Sequence, residues 1–395
     1  MKRSPFFTAL LCAAPIIAIM TAGCSKVEEI PVSSEDPEPA GSLSSNAPAF
    51  TAAAGDIDDS RYIYSRLSDK EKEYYNIIRD AALNFEDKAV FPEALDPELL
   101  RKLYISVYYQ EEELFWLSSM FYRPASESDS LMLSYRFTKE ESAALQAQIE
   151  AKAAEIFSSF DENTSDYEKL KRFHDQLVLN CTFSMDTDYV NTVYGALCDG
   201  YAQCEGYAFA FDYLCRLADI DCFTVSGTNS DGALHAWNVV KLEDMWYNVD
   251  CTWDDPILSP PDRDFIRYYY FLTADSDISG VTHFPDNTYY YYPICSSDNN
   301  FYKREGYFAY SAEEGISLLG KAAADALNCG RKDAAVRFSD EKAYNDAVSK
   351  LFDSGEIKQV FKFANDSSDV KVTDRKYVRY LNDDELIIHI TMIYE

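Results

Sequence analysis

The stretch that decides the fold runs from Gly195 to Pro256 and reads GALCDGYAQCEGYAFAFDYLCRLADIDCFTVSGTNSDGALHAWNVVKLEDMWYNVDCTWDDP. Apolar residues recur at steps of three and four from Cys204 to Ile220, which predicts an amphipathic helix that begins at the cysteine. At a helix N-terminus, unpaired amides and the positive end of the dipole favour a thiolate. The same amides can hold an oxyanion, so this cysteine is a candidate nucleophile.

A β-hairpin is predicted after this helix. Residues 235–242 read as a strand, 243–244 as a turn and 245–253 as the returning strand. A two-residue loop places Asp250 opposite Trp237, and therefore diagonal to His235 on the same face of the sheet. Diagonal neighbours are about 7–8 Å apart at the backbone, a gap that two side chains can close. A four-residue symmetric loop gives the same pairing, whereas a three-residue loop breaks it.

Three blocks of this stretch, CEGYAFAF, HAWNVVKL and WYNVDCTWDDP, resemble the bacterial branch of the transglutaminase-like superfamily, which uses papain-type chemistry. The resemblance covers residues 166–286. It implies that Cys204 is the nucleophile, His235 the general base and Asp250 the group that orients the histidine. Trp237 and Trp253 are expected to be possible walls of the cleft.

The implied fold class is α+β, with a papain-like, transglutaminase-like core in which an N-terminal catalytic helix packs on an antiparallel sheet. We predict a mainly helical N-terminal domain at 61–160, the catalytic domain at 161–305 and a small α/β domain at 306–395. Ser68 with Glu71, and Thr138 with Glu141, form capping-box patterns that predict helix starts. Residues 268–271 and 289–292 are aromatic runs that read as strands, although the second run could instead line a groove for sugar or peptide.

The leading hypothesis is a surface-anchored enzyme that forms a thioester at Cys204, with the thioester implied by the resemblance and the anchoring by the N-terminal segment. The acyl group would pass to water, as in a peptidase or amidase, or to an amine, as in a cross-linking transglutaminase. Hydrolysis is favoured because bacterial members of the superfamily are mostly regarded as peptidase-like. Envelope proteins or peptidoglycan peptides are the expected substrates. The competing hypothesis is a non-catalytic module that binds a peptide or glycan.

Residues 1–23 are predicted to be a lipoprotein signal peptide. Lys2 and Arg3 precede an apolar run, and the small residues before Cys24 resemble a bacterial lipobox. The mature protein would carry lipid on Cys24 and sit on the outer leaflet of a bacterial membrane, with its globular part outside the cytoplasm. An ordinary secretory cleavage near the same place is the alternative. Residues 24–60, rich in serine, proline and acidic residues, are predicted to be a disordered linker.

The net charge and the absence of certain motifs exclude several classes of function. The formal net charge of −31 argues against nucleic acid, which requires a basic face. The sequence contains no CxxC, HExxH or phosphate-binding glycine loop, so neither a metal nor a cofactor is expected. His174-Asp175 is interpreted as a structural hydrogen-bonding pair. Without Cys12, Cys24 and Cys204, seven cysteines remain, and an odd number leaves at least one outside any disulfide.

Overall fold

The computed structural model describes residues 61–124, 127–255, 266–290 and 292–394. The predicted signal peptide, the lipid attachment at Cys24 and the linker at 24–60 lie outside the described residues. The mixed α+β class predicted from the sequence is confirmed. No helix in the described part of the chain is both long and apolar enough to cross a membrane.

The N-terminal region combines helices with a small antiparallel sheet of order β1-β3-β2. Both predicted capping boxes are present, at Ser68 with Glu71 and at Thr138 with Glu141. Residues 112–114 form a 3-10 turn between α2 and β2. Its elements are α1 (Asp69–Leu83), β1 (Lys88–Val90), α2 (Pro97–Gln110), β2 (Leu117–Tyr122), β3 (Ser130–Tyr135) and α3 (Lys139–Phe157).

The central region is built on a five-stranded antiparallel sheet of order β10-β6-β7-β8-β9. The predicted catalytic helix, α5, packs on β6 and β7. The elements of this region are α4 (Asp166–Asn180), β4 (Thr182–Phe183), β5 (Tyr201–Ala202), α5 (Cys204–Leu217), β6 (Cys222–Asn229), β7 (Leu234–Leu242), β8 (Met245–Val249), α6 (Cys251–Asp254), β9 (Phe271–Thr273), α7 (Asp275–Ile278) and β10 (His283–Pro285).

The predicted β-hairpin has the two-residue loop that the pairing argument requires. Leu242 pairs with Met245, and Glu243 and Asp244 between them both have positive φ, at 53° and 62°. Two successive residues with positive φ match the twist of the flanking strands in a tight hairpin turn. The predicted register is therefore confirmed from Leu242 with Met245 to Asn238 with Val249, whereas the predicted pair of Trp237 with Asp250 lies beyond the end of the ladder.

The structure corrects the end of the returning strand. The strand stops at Val249, and Cys251–Asp254 form a helical turn that Asp250 caps. Asp250 leaves the ladder because its Oδ1 accepts the amide of Trp253 at 3.0 Å. Of the two aromatic runs predicted as strands, 268–270 lie outside any strand, and β9 begins at Phe271. Among the described residues of the second run, Tyr289, Tyr290 and Tyr292, none belongs to a strand.

The C-terminal region is a small α/β unit with its own hydrophobic core. Its sheet has the order β11-β12-β14-β13, in which β11 runs parallel to β12 and the closing hairpin of β13 and β14 is antiparallel. The short helix α8 (Phe301–Arg304) precedes this unit and packs in the core shared by the N-terminal and central regions. The elements of the unit are β11 (Phe308–Ala309), α9 (Ala312–Asn328), β12 (Asp333–Phe338), α10 (Glu341–Val348), α11 (Ile357–Ser367), β13 (Val378–Asn382) and β14 (Ile387–Thr391).

Candidate active site

Cys204 is the first residue of α5, as predicted, and its side chain is only 6% exposed. The side chain of Gln203, at the N-cap position, makes no hydrogen bond to the helix, so it does not occupy the first backbone amides of α5. Gly206 lets the chain approach this turn closely, because a Cβ there would lie 2.3 Å from the carbonyl oxygen of Val190. The nucleophile candidate is therefore held rigidly beside amides that can stabilise an oxyanion.

His235 and Asp250 meet in a short hydrogen bond. His235 Nε2 lies 2.6 Å from Asp250 Oδ2, and both side chains are buried. His235 comes from β7, whereas Asp250 comes from the cap of α6 that directly follows β8. Because the carboxylate binds Nε2, the imidazole has Nδ1 left for the hydrogen bond that it shares with Cys204. The structure thus brings the three predicted residues together in the order thiol, imidazole, carboxylate.

Electrostatics in this group favour a charged histidine. Burial alone would lower the pKa of His235, but the negative charge of Asp250 and hydrogen bonds with Asp250 and Cys204 raise it to about 10. Burial would likewise raise the pKa of Asp250, yet the charge of His235 and hydrogen bonds from His235 and His283 hold it below its usual range. An imidazolium stabilised in this way is the partner that a thiolate needs.

His283 is a member of this group that the sequence analysis left without a role. Its Nε2 lies 2.9 Å from the same Asp250 Oδ2 that binds His235, and its side chain is fully buried. The two histidine rings have centroids 5.3 Å apart. No sequence motif marks His283, because it reaches the site through the pairing of β10 with β6, where it lies opposite Asn229.

The donor atoms of His235, Asp250 and His283 lie within 4.8 Å of one another, which is close enough for a shared metal ion. The nitrogen–oxygen distances of 2.6 and 2.9 Å are those of direct N–H···O hydrogen bonds. Protons therefore account for the geometry, and we interpret the group as a hydrogen-bonded cluster.

The two predicted cleft walls support the histidines. Trp237 stacks beside His235 at 5.9 Å and donates its indole N–H to Asn248. Trp253 lies 5.5 Å from His235 and 4.8 Å from His283, measured between ring centroids. Neither tryptophan is among the residues that line the cavity next to His235. The structure therefore places both against the imidazole rings rather than on the cavity surface.

A cavity of about 600 Å³ opens onto His235. Its walls come from three separate parts of the chain. Residues 226–228 and Leu234 to Ala236 belong to the central sheet, and Tyr289, Tyr290 and Tyr292 come from the segment that follows β10. The third wall is one face of α2, with Arg101, Ile105 and Tyr109 at steps of four. The tyrosine run, which the sequence analysis assigned preferentially to core packing, contributes to this groove.

Glu205 lies between the nucleophile and the N-terminal region. It is fully buried, and it accepts hydrogen bonds from the hydroxyls of Tyr109 at 3.2 Å and Tyr108 at 3.4 Å. Arg136 donates to the Tyr108 hydroxyl at 3.0 Å. Burial and the adjacent Cys204 raise the pKa of Glu205 to about 7. The residue beside the nucleophile therefore changes charge in the neutral pH range.

The other predicted chemistry lies away from this site. His174 is buried between Asp254, 3.1 Å from its Nε2, and Asp175, 3.3 Å from its Nδ1, as expected of a structural pair. The eight cysteines of the described chain form no disulfide with one another. Cys215 and Cys222 lie within hydrogen-bonding contact of each other in the core.

Comparison with known proteins assigns a family to the central region. The sequence profile of the transglutaminase-like superfamily matches residues 154–251. The chain carries a domain of this superfamily. The matched segment of this transglutaminase-like domain includes Cys204, His235 and Asp250, whereas His283 lies beyond it.

The similar proteins each match only part of the chain. Human kyphoscoliosis peptidase is 37% identical over 99 residues, and its mouse counterpart is 36% identical over 99 residues. In both cases the match covers 22% of this chain and 15% of the relative, so the chain spans a small fraction of their length. A solved structure of a TGase is 18% identical over 42% of this chain and 50% of its own, with a TM-score of 0.25. The family assignment therefore rests on the sequence matches.

Proposed function

We propose that the protein is a cysteine acyl-transfer enzyme that acts on peptide or amide bonds through Cys204, His235 and Asp250. The observation that carries this function is the continuous hydrogen-bonded series from thiol to imidazole to carboxylate, with 2.6 Å between His235 and Asp250. A binding module gains nothing from a buried imidazole poised between a thiol and a carboxylate. The cavity next to His235 would hold the substrate.

In the proposed reaction, Cys204 gives its proton to His235 and its sulfur attacks the substrate carbonyl. The carbon–sulfur bond forms while the oxyanion is held by amides at the start of α5. The imidazolium of His235 then protonates the leaving amine, the carbon–nitrogen bond breaks, and a thioester remains. Attack by water, which loses a proton to His235, releases a carboxylic acid and restores the thiol.

Attack by an amine instead of water would form a new amide and make the enzyme a cross-linking transglutaminase. Hydrolysis is the outcome that we favour, in keeping with the peptidase name of the two relatives that match part of the chain. The two outcomes can be separated with a fluorescent primary amine. A hydrolase would generate new termini in the presence of the amine, whereas a transglutaminase would attach it to the substrate.

The activated thiol can be tested by limited alkylation of the purified protein with iodoacetamide. Cys329 is exposed, whereas Cys204 is buried, so accessibility alone predicts faster labelling of Cys329. We expect Cys204 to react faster than Cys329, and this preference to disappear in His235→Ala. Labelling of Cys204 no faster than that of Cys329 would contradict the proposed function. Cys198→Ser serves as a matched control, because Cys198 is a half-buried thiol outside the site.

Anchoring through lipid on Cys24 is proposed from the pattern of residues 1–24, and envelope proteins or peptidoglycan peptides are the substrates that such a location would offer. A single acyl chain holds a protein to a membrane only weakly, whereas several chains hold it stably. Cys24→Ser is expected to release the protein from membranes or leave an uncleaved precursor. A processed variant that stays on the membrane after a high-salt wash would disprove the anchor.

A further inference from the structure

The environment of His283 is as specific as that of the proposed catalytic histidine. The ring is fully buried and packs against Trp237 at 4.9 Å and Trp253 at 4.8 Å between centroids. Its two nitrogens both have partners. Nε2 lies 2.9 Å from Asp250 Oδ2, and Nδ1 lies 2.8 Å from the hydroxyl of Thr282. A buried histidine can hold a single tautomer when each of its ring nitrogens has a fixed hydrogen-bond partner.

The partners determine which tautomer this is. Asp250 is ionised, so it accepts, and Nε2 of His283 must carry the proton. Burial lowers the pKa of His283, so the ring stays neutral and Nδ1 must accept from the Thr282 hydroxyl. The titratable groups that face His283 are Asp250, His235 and the phenol of Tyr270. The neutral histidine thus donates to the carboxylate without competing with His235 for the positive charge.

Asp250 therefore receives three hydrogen bonds. The amide of Trp253 binds Oδ1 at 3.0 Å, while His235 and His283 both bind Oδ2, at 2.6 and 2.9 Å. These contacts hold the carboxylate in a single orientation. The donation from His283 also draws negative charge away from the oxygen that attracts the His235 proton.

We propose that His283 is a positioning residue that fixes Asp250 and weakens the hold of this carboxylate on the His235 proton. The inference rests on the proposed function, because it concerns how that imidazole is tuned. Without His283, Oδ2 would bind the His235 proton more strongly, and His235 would remain protonated to higher pH. The imidazolium of His235 would then lose its proton less readily near neutral pH, so less of the neutral base would be present.

The backbone of β10 is built to keep His283 at this position. Gly227 in β6 lies against β10 so closely that a Cβ there would approach the carbonyl oxygen of Phe284 to 2.3 Å. The carbonyl of His283 also accepts the amide of Gly280 at 2.9 Å. The position of His283 is therefore set by a close strand contact as well as by its own hydrogen bonds.

The test measures the rate of Cys204 alkylation against pH in the full chain, together with kcat and KM once a substrate is available. We expect His283→Leu to move the upper midpoint of the alkylation profile to higher pH by about one unit. His283→Gln, whose amide can donate to Asp250, should return the midpoint close to that of the wild type. The loss of activity should fall on kcat rather than KM, because His283 does not line the cavity.

An unchanged midpoint in a folded His283→Leu variant would overturn the inference. A shift that His283→Gln does not reverse would also overturn it, because packing alone would then explain the effect. If the leucine variant does not fold, Thr282→Val serves instead, since it removes the hydroxyl that fixes the tautomer, and a smaller shift in the same direction is expected. No shift in that variant, or an Nδ1–H tautomer in ¹⁵N spectra of the wild type, would contradict the proposal.

The failure of this inference is distinguishable from failure of the proposed function. If Cys204 of the wild type reacts no faster than Cys329, the proposed activity itself is wrong. If Cys204 is activated in the wild type and its pH profile is indifferent to His283, only the role of His283 is wrong.

Discussion

Two buried histidine–aspartate pairs flank the short helix α6, and they have opposite surroundings. Asp250 caps the helix and binds His235 at 2.6 Å, while Asp254 ends it and binds His174 at 3.1 Å. The second nitrogen of His235 is shared with a thiol, whereas that of His174 faces another carboxylate, Asp175. A histidine paired with an aspartate is thus not a catalytic signature by itself, because the partner of the other ring nitrogen decides the role.

The pair of His174 and Asp254 is surrounded by hydrogen-bond partners and an aromatic ring. The Asp254 carboxylate also accepts the backbone amides of Tyr269 at 2.8 Å and Tyr270 at 3.1 Å. The His174 ring stacks on Tyr268 at 5.0 Å between centroids. This pair joins α4 to the segment before β9, and we expect it to stabilise the fold without taking part in the chemistry.

The largest expected effect contrasts the two histidines by mutation. His235→Ala should reduce turnover by about 10²–10⁴-fold, because the general base is lost. His174→Ala should retain most activity per folded molecule but lower the free energy of unfolding by about 3–5 kcal/mol, because the buried carboxylate of Asp254 and the half-buried one of Asp175 lose a partner. Turnover and urea unfolding of both variants provide the measurements. Comparable loss of turnover in the two variants, after correction for the folded fraction, would remove the distinction.

A second prediction concerns the dependence of stability on pH. Both histidines have a pKa above the ordinary value of about 6.5, His235 at about 10. A raised pKa means that the folded state binds the proton more tightly, so this stabilisation is fully present below about pH 6.5 and is lost as pH rises through the folded value. We expect the free energy of unfolding to fall between pH 7 and 10.

The slope of that fall should be smaller in His235→Gln and in His174→Gln, measured by urea unfolding at several pH values. Lys171→Met is a useful comparison, since it removes a neighbouring charge from Asp175 while leaving both imidazoles in place. A wild-type slope that persists in both glutamine variants would show that neither histidine carries the dependence.

The smallest predicted effect concerns Glu205, a buried carboxyl in the first turn of α5. Its pKa of about 7 means that it gains a negative charge beside Cys204 as the pH passes neutrality. That charge disfavours the thiolate. Glu205→Gln should therefore alkylate at Cys204 about two- to fivefold faster at pH 8, which corresponds to well under one pKa unit, with little change at pH 5.5. If Glu205→Gln and the wild type are alkylated at Cys204 at the same rate at pH 8 as well as at pH 5.5, the charge of Glu205 does not affect the thiol.

The sequence predicted the parts of the site that depend on local pattern. Helix periodicity placed Cys204 at the start of α5, and the alternation of a two-residue hairpin placed His235 and Asp250 on one face. The contribution of His283 could not be predicted, because its approach depends on a three-residue edge strand whose pairing partner is more than fifty residues away in the chain. The helical turn after Val249 was missed because an aspartate cap competes with strand extension in a way that periodicity does not reveal.

The residues that form the walls of the cavity could not be predicted from the sequence pattern either. Tyr289, Tyr290 and Tyr292 read as an aromatic strand, and aromatic residues are indeed enriched in strands. Their position in a groove depends on contacts with α2, such as the hydrogen bond from Tyr290 to the carbonyl of Lys102 at 3.1 Å. Contacts of this kind join segments that are nearly two hundred residues apart.

The wall contributed by α2 has a consequence for how such proteins diversify. Arg101, Ile105 and Tyr109 lie outside the segment that matches the superfamily, yet they face the cavity next to His235. Under the proposed function, substitutions at Arg101 and Ile105 would alter which substrates fit without a contact to the thiol, imidazole or carboxylate, whereas Tyr109 also binds Glu205 beside Cys204. One wall of the cavity is thus encoded outside the stretch that carries the three reactive side chains, so that wall can change without a change in this stretch. If the proposed function holds, exchanging Arg101 and Ile105 on α2 is a way to retarget the protein without rebuilding its reactive centre.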